Sequence, residues 1–120
     1  MLVHLEDYYI LSRILLGTGL TITFQNRMDM HDRKVLELTE VVGFIDQSTS
    51  DEVVFLRIDE GGSSYAFDLS LRLERPEIVD FWEMFFFTDS ARTQFSFRAC
   101  AKGIDFREWM EKDIWLKATS

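Results

Sequence analysis

A chain of 120 residues with 47% hydrophobic and 14% aromatic side chains has the apolar surface for one folded core and too little length for two. Its 21 acidic against 13 basic residues set a formal charge of −8, which repels phosphate backbones and disfavours direct nucleic-acid binding. The single cysteine, Cys100, admits no internal disulfide, so a single domain over residues 1–120 in a reducing cytoplasm is expected.

Met1 to Leu16 carries Glu6 and Asp7 where an export signal would need a basic segment. Within it, Leu5–Leu16 is apolar on most of its circumference and is followed by Gly17 and Gly19, which predicts an N-terminal helix. Leu20–Asn26 sets Leu20, Ile22 and Phe24 against threonines, the period of a half-buried strand. A longer strand is expected over Val35–Asp46, bulged near Gly43, and another over Glu52–Asp59. Glu60-Gly61-Gly62-Ser63 is a reversal signal, and Tyr65–Leu73 then alternates apolar and polar residues like a fourth strand.

Pro76 opens a predicted helix over residues 77–88, with Ile78, Phe81, Trp82, Phe85 and Phe86 as its buried stripe. The stretch Phe81–Phe87, interrupted by Glu83, is far short of the ~20 residues a membrane-spanning helix needs. Thr93–Lys102 alternates as a fifth strand closed by Gly103. Asp105 and Glu108 form a capping box for a C-terminal helix that turns Phe106, Trp109 and Met110 inward. Short connections favour antiparallel pairing. The expected fold is therefore α+β: three helices and a mostly antiparallel sheet of about five strands, open or curled toward a small barrel.

No phosphate-binding glycine loop, nucleophile elbow or zinc-binding helix motif is present, so no catalytic residue, cofactor or metal is nominated and the chain is not expected to be an enzyme. The tightest set of metal-ligand types, Asp29-Met30-His31-Asp32, reads as a solvated loop, because adjacent residues seldom converge on an ion. Cys100 shares a predicted strand face with Arg98 and Lys102, a setting that lowers a thiol pKa, but burial as an inert cysteine is the commoner outcome. Asp51-Glu52 and Asp59-Glu60 fall at predicted turns, where solvated charge outweighs an acid–base role.

Charge is unevenly distributed: residues 37–89 hold thirteen acidic and three basic side chains, whereas the flanking segments are neutral or slightly basic. Such a field accelerates encounter with a basic protein. On the predicted 77–88 helix, Asp80, Glu83, Met84 and Phe87 share an arc of carboxylates around an apolar anchor, and Asp51, Glu52, Asp59 and Glu60 lie on neighbouring loops. These eight residues are the candidate partner-binding set. The expected partner is a basic protein, such as a nuclease or another nucleic-acid-binding protein. Trp115 on the last predicted helix falls beside Glu108, Glu111 and Lys112, and Tyr8, Leu11, Ile14 and Leu15 supply an apolar surface for a homodimer.

In size and charge the chain resembles short acidic toxin-immunity proteins and phage-encoded inhibitors of bacterial defence nucleases. That likeness covers composition alone and implies neutralisation of a basic partner by phosphate-mimicking carboxylates. The competing expectation is a small-molecule or enzymatic pocket lined by Tyr65, Phe67, Phe95, Phe97 and Trp82.

Overall fold

The computed structural model describes residues 1–110. It shows one antiparallel sheet of seven strands: β1 (Leu2–His4), β2 (Tyr8–Leu16), β3 (Gly19–Asn26), β4 (Arg33–Asp46), β5 (Phe55–Asp59), β6 (Trp82–Phe87) and β7 (Phe95–Glu108). Their order is β1-β5-β6-β7-β4-β3-β2. One α-helix, α1 (Ser64–Arg72), and a short 3-10 helix (Pro76–Asp80) connect β5 to β6. The sheet bends until its two ends meet. Tyr9 of β2 bridges Glu52, and the Ile10 amide donates to the Asp51 carbonyl at 3.0 Å.

This architecture corrects the expected α+β class with three helices and five strands; the described chain is mainly β with a single α-helix. Leu5–Leu16 is not a helix: its last nine residues, Tyr8–Leu16, are β2, joined to β3 by the tight turn at Gly17–Thr18. Gly17 has φ of 61°, as the first central position of a hairpin turn requires. Residues 82–87 form β6, a central strand buried on both faces, so the run WEMFFF lacks alternation and imitates a buried helix. Tyr65–Leu73, the clearest alternating segment, is almost entirely α1. Ser63 caps it by accepting from the Ala66 amide at 3.0 Å, and Tyr65, Ala66 and Leu69 face the sheet. Phe67 and Leu71 remain 56% and 62% exposed, so the alternation did not mark a core face. The expected C-terminal helix gives way, through Glu108, to a continuation of β7 past Gly103, which pairs with Thr39. Trp115 lies outside the described residues.

The interior of the curved sheet is filled by Ile22, Phe24, Leu36, Leu38, Leu56, Met84, Phe86 and Phe97, with Leu5 and Ile10 plugging the seam where the ends meet. On the convex side α1 covers Cys100, Phe81 and Ile78. A separate aromatic layer of Phe55, Phe85 and Phe87 lies beside it. Helix α1 approaches the sheet at Gly43, where a Cβ would stand 2.7 Å from the Tyr65 hydroxyl and 2.8 Å from Leu69 Cδ1. Gly43→Val is therefore expected to wedge the helix off the sheet and lower stability by about 1–3 kcal/mol, read as a shift in the urea unfolding midpoint.

Candidate functional site

The residues nominated from sequence separate into three environments. Met84 points into the interior and is fully buried, and Phe87 is buried in the aromatic layer with Phe55 and Phe85. Glu83 is also buried, its side chain 2% exposed. Strand geometry is the reason: alternate residues go to opposite faces, and both faces of β6 are covered, so the expected helical arc of Asp80, Glu83, Met84 and Phe87 does not exist. Asp51 and Glu52 lie at the other end of β5 from Asp59 and Glu60. Their backbones close the seam with β2 while both residues stay exposed.

Glu60 and Asp80 do converge. Gly61 allows this, because a Cβ there would meet the Asp80 backbone at 2.5 Å, and the Gly62 amide donates to the Val79 carbonyl at 2.7 Å. The 60–62 loop is thereby laid against the end of the 3-10 helix. With Trp82, these residues line an open cleft of about 340 Å³. Seven of the thirteen carboxylates in residues 37–89 are engaged in ion pairs, among them Asp46 with Arg13, Asp59 with Arg57, Asp68 with Arg72 and Glu40 with Arg75. Glu60 and Asp80 are exposed and form none among the described residues. Two carboxylates beside an indole suit an ammonium or guanidinium, which the carboxylates attract and the ring face accommodates.

A second polar cluster lies under α1. Arg98 donates to both Glu83 oxygens at 3.2 and 2.9 Å, the Ser63 hydroxyl donates to Glu83, and the guanidinium lies over the rings of Tyr65 and Phe85 at 4.6 and 4.8 Å. Sequence reading missed this pair because its partners are separated by fifteen positions and only sheet register brings them together. Cys100, opposite Glu83 in that register, is fully buried. Burial, reinforced by the Glu83 charge and opposed by Arg98, pushes its thiol up to about 11, which removes the reactive-thiolate reading.

The Asp29–Asp32 segment is a structured loop. Asp32 accepts from the Tyr8 hydroxyl at 2.5 Å and from Asn26 at 3.0 Å, and the Tyr8 hydrogen bond holds its carboxyl below the usual range. Among the described residues no three His, Cys, Asp or Glu side chains converge as metal ligands. The aromatic pocket expectation is dispersed by the fold: Tyr65 stacks on Arg98, Phe67 is exposed on α1, Phe95 contacts Phe85 on the convex side, Phe97 is interior and Trp82 borders the acidic cleft. Tyr8, Leu11, Ile14 and Leu15, expected on a helix, belong to β2, where Leu11 and Leu15 are exposed. Among the described residues no helix is long and apolar enough to cross a membrane.

No protein-family profile matches the chain, and no curated protein or solved structure matches it. The inhibitor and immunity expectation drawn from size and charge gains no support from these comparisons or from the mainly β fold, and it is set aside.

Glu83→Ala is expected to cost about 3–5 kcal/mol in urea unfolding, because it strands a largely buried guanidinium. Raising the Cys100 pKa from 9.0 to about 11 favours the neutral thiol in the folded state. That contribution is complete below pH 9 and is lost as pH rises from 9 through about 11. Wild type should lose more stability over that window than Cys100→Ala, measured by denaturant titration.

Proposed function

We propose that the chain is an acidic binding module for a basic protein, with an arginine or lysine of the partner seated in the Glu60–Asp80–Trp82 cleft. The observation that carries this reading is a cleft lined by Glu60, Asp80 and Trp82, whose two acidic residues form no ion pair among the described residues, on a chain of net charge −8. Most other carboxylates of the acidic segment neutralise arginines of the chain itself, so the cleft is where its surplus charge meets an aromatic contact. Nucleic-acid-binding proteins, nucleases included, present clustered cationic side chains of the kind that fit it. A cytoplasmic setting belongs to the same proposal and rests on the lone Cys100.

The test is capture of partners from the native host at low and high salt, with wild type, a Glu60→Lys/Asp80→Lys double variant and an Asp51→Lys/Glu52→Lys control. A basic protein should be retained by wild type, released as salt rises, and bound at least about tenfold more weakly by the cleft variant, about 1.4 kcal/mol. The control should bind like wild type. Equal binding by wild type and the cleft variant would overturn the assignment.

A further inference from the structure

A β-bulge in β2 sends a charged side chain to the concave face of the sheet, and two irregularities in β4 keep another there. In β2 the register with β3 shifts between Ile10 and Ser12, so Ile10 and Arg13 both face inward, opposite Phe24 and Ile22. In β4 the register with β7 shifts between Val41 and Gly43. Val42 and Gly43 both turn toward α1, while Phe44 and Asp46 turn inward opposite Ala99 and Phe97. Without the β2 shift, strict alternation from Ile10 would point Arg13 outward; in β4 the 41–43 shift follows the irregularity at Glu40, so that Phe44 and Asp46 regain the inward parity of Leu36 and Leu38. Bulges that re-aim side chains in this way recur beside binding sites.

The result is a cavity of about 130 Å³ at one end of the interior. Its apolar wall includes Ile22, Val41, Phe44 and Phe97, and Arg13 and Asp46 stand at its rim. The Arg13 guanidinium is poorly satisfied. Its Nε is buried with no hydrogen-bond partner among the described residues, and one terminal nitrogen reaches Ser48 Oγ at 3.3 Å. Asp46 stands 3.6 Å away, beyond hydrogen-bond length, with its other oxygen taken by the Ser48 amide at 2.9 Å and by the Ser48 hydroxyl. Ser48 thus anchors the Asp46 carboxylate through Oδ1, and Oδ2 faces Arg13 without closing on it. A buried donor without a partner is costly, and a ligand that supplies the acceptor recovers that cost.

We infer that this cavity is a binding site for a small monocarboxylate with an apolar body about the size of a benzene ring, its carboxylate accepting from Arg13 Nε. An apolar cavity of roughly 150 Å³ accommodates benzene, so the volume fits a benzoate-sized body or a short branched acyl chain. A guanidinium offers the paired donors a carboxylate prefers. The site lies apart from the Glu60–Asp80–Trp82 cleft, shares no residue with it, and does not depend on the partner-binding reading.

Titration of the ¹⁵N-labelled full chain with benzoate, followed by ¹H–¹⁵N correlation spectra, tests the inference. Saturable shifts should appear at the amides of Arg13, Ile22, Val41 and Phe97 and at the Arg13 Nε–H resonance. Benzylamine, of the same size and opposite charge, should leave them unmoved. Arg13→Gln should weaken benzoate at least tenfold, and Val41→Phe, which fills the cavity, should abolish the shifts while the dispersed spectrum reports an intact fold. Absence of saturable shifts with millimolar benzoate would overturn the inference, as would shifts that persist in Arg13→Gln or arise equally with benzylamine.

Discussion

The pairing of β4 with β7 is the constraint on which the remaining structure depends. It runs from Lys34 opposite Glu108 to Asp46 opposite Phe97, joining two fourteen-residue strands. On one side it carries β3 and β2, on the other β6, β5 and β1. Strands of this length cannot stay flat, because each pair adds twist. Glu40, at φ of 53°, and the bulge between Val41 and Gly43 concentrate the bend near the middle of β4. Bending there brings β2 back to the residues preceding β5, closing the seam over Leu5, Ile10 and Val53.

Closure fills the concave side, so the convex side has to be covered separately, and the chain uses two different materials. Over β4 and the middle of β7 it lays α1, whose approach depends on Gly43 and whose N-cap Ser63 also binds Glu83. Over β5 and β6 it lays phenylalanines under arginines, with Arg57 4.4 Å above Phe85 and Arg98 shared between Phe85, Tyr65 and Glu83. The guanidinium stems cover the rings while the charged heads stay at the margin, where they pair with carboxylates. Much of the acidic excess is absorbed in this way. Of the carboxylates that form no ion pair among the described residues, Glu60 and Asp80 share a cleft where Gly61 lets the chain turn.

The sequence by itself determined the acidic charge, an apolar content sufficient for a core and the antiparallel sense of the strand pairing, because composition and short connections are properties of the chain; the α+β class with three helices that it suggested does not hold. It also marked most strands whose two faces meet different surroundings: Leu20–Asn26 reads plainly, since β3 has an interior and a more polar exterior. Glu60 was legible as charge at a turn, whereas Asp80 was expected on a helical arc and the two were not expected as neighbours. Three elements were decided only by tertiary structure. WEMFFF became a strand because apolar layers on both faces remove the alternation that would identify it. Tyr65–Leu73 became a helix because Ser63 could cap it and Gly43 could receive it, while its apolar alternation was left partly in solvent. Leu5–Leu16 became a turn and a strand because β3 offered its backbone a ladder. The side chains that define the two candidate sites follow the same rule. Gly61 crossing Asp80 builds the acidic cleft, and the β2 bulge points Arg13 inward toward Asp46. A one-residue shift in register exchanges the faces of a strand, and register is set by partners distant in the chain.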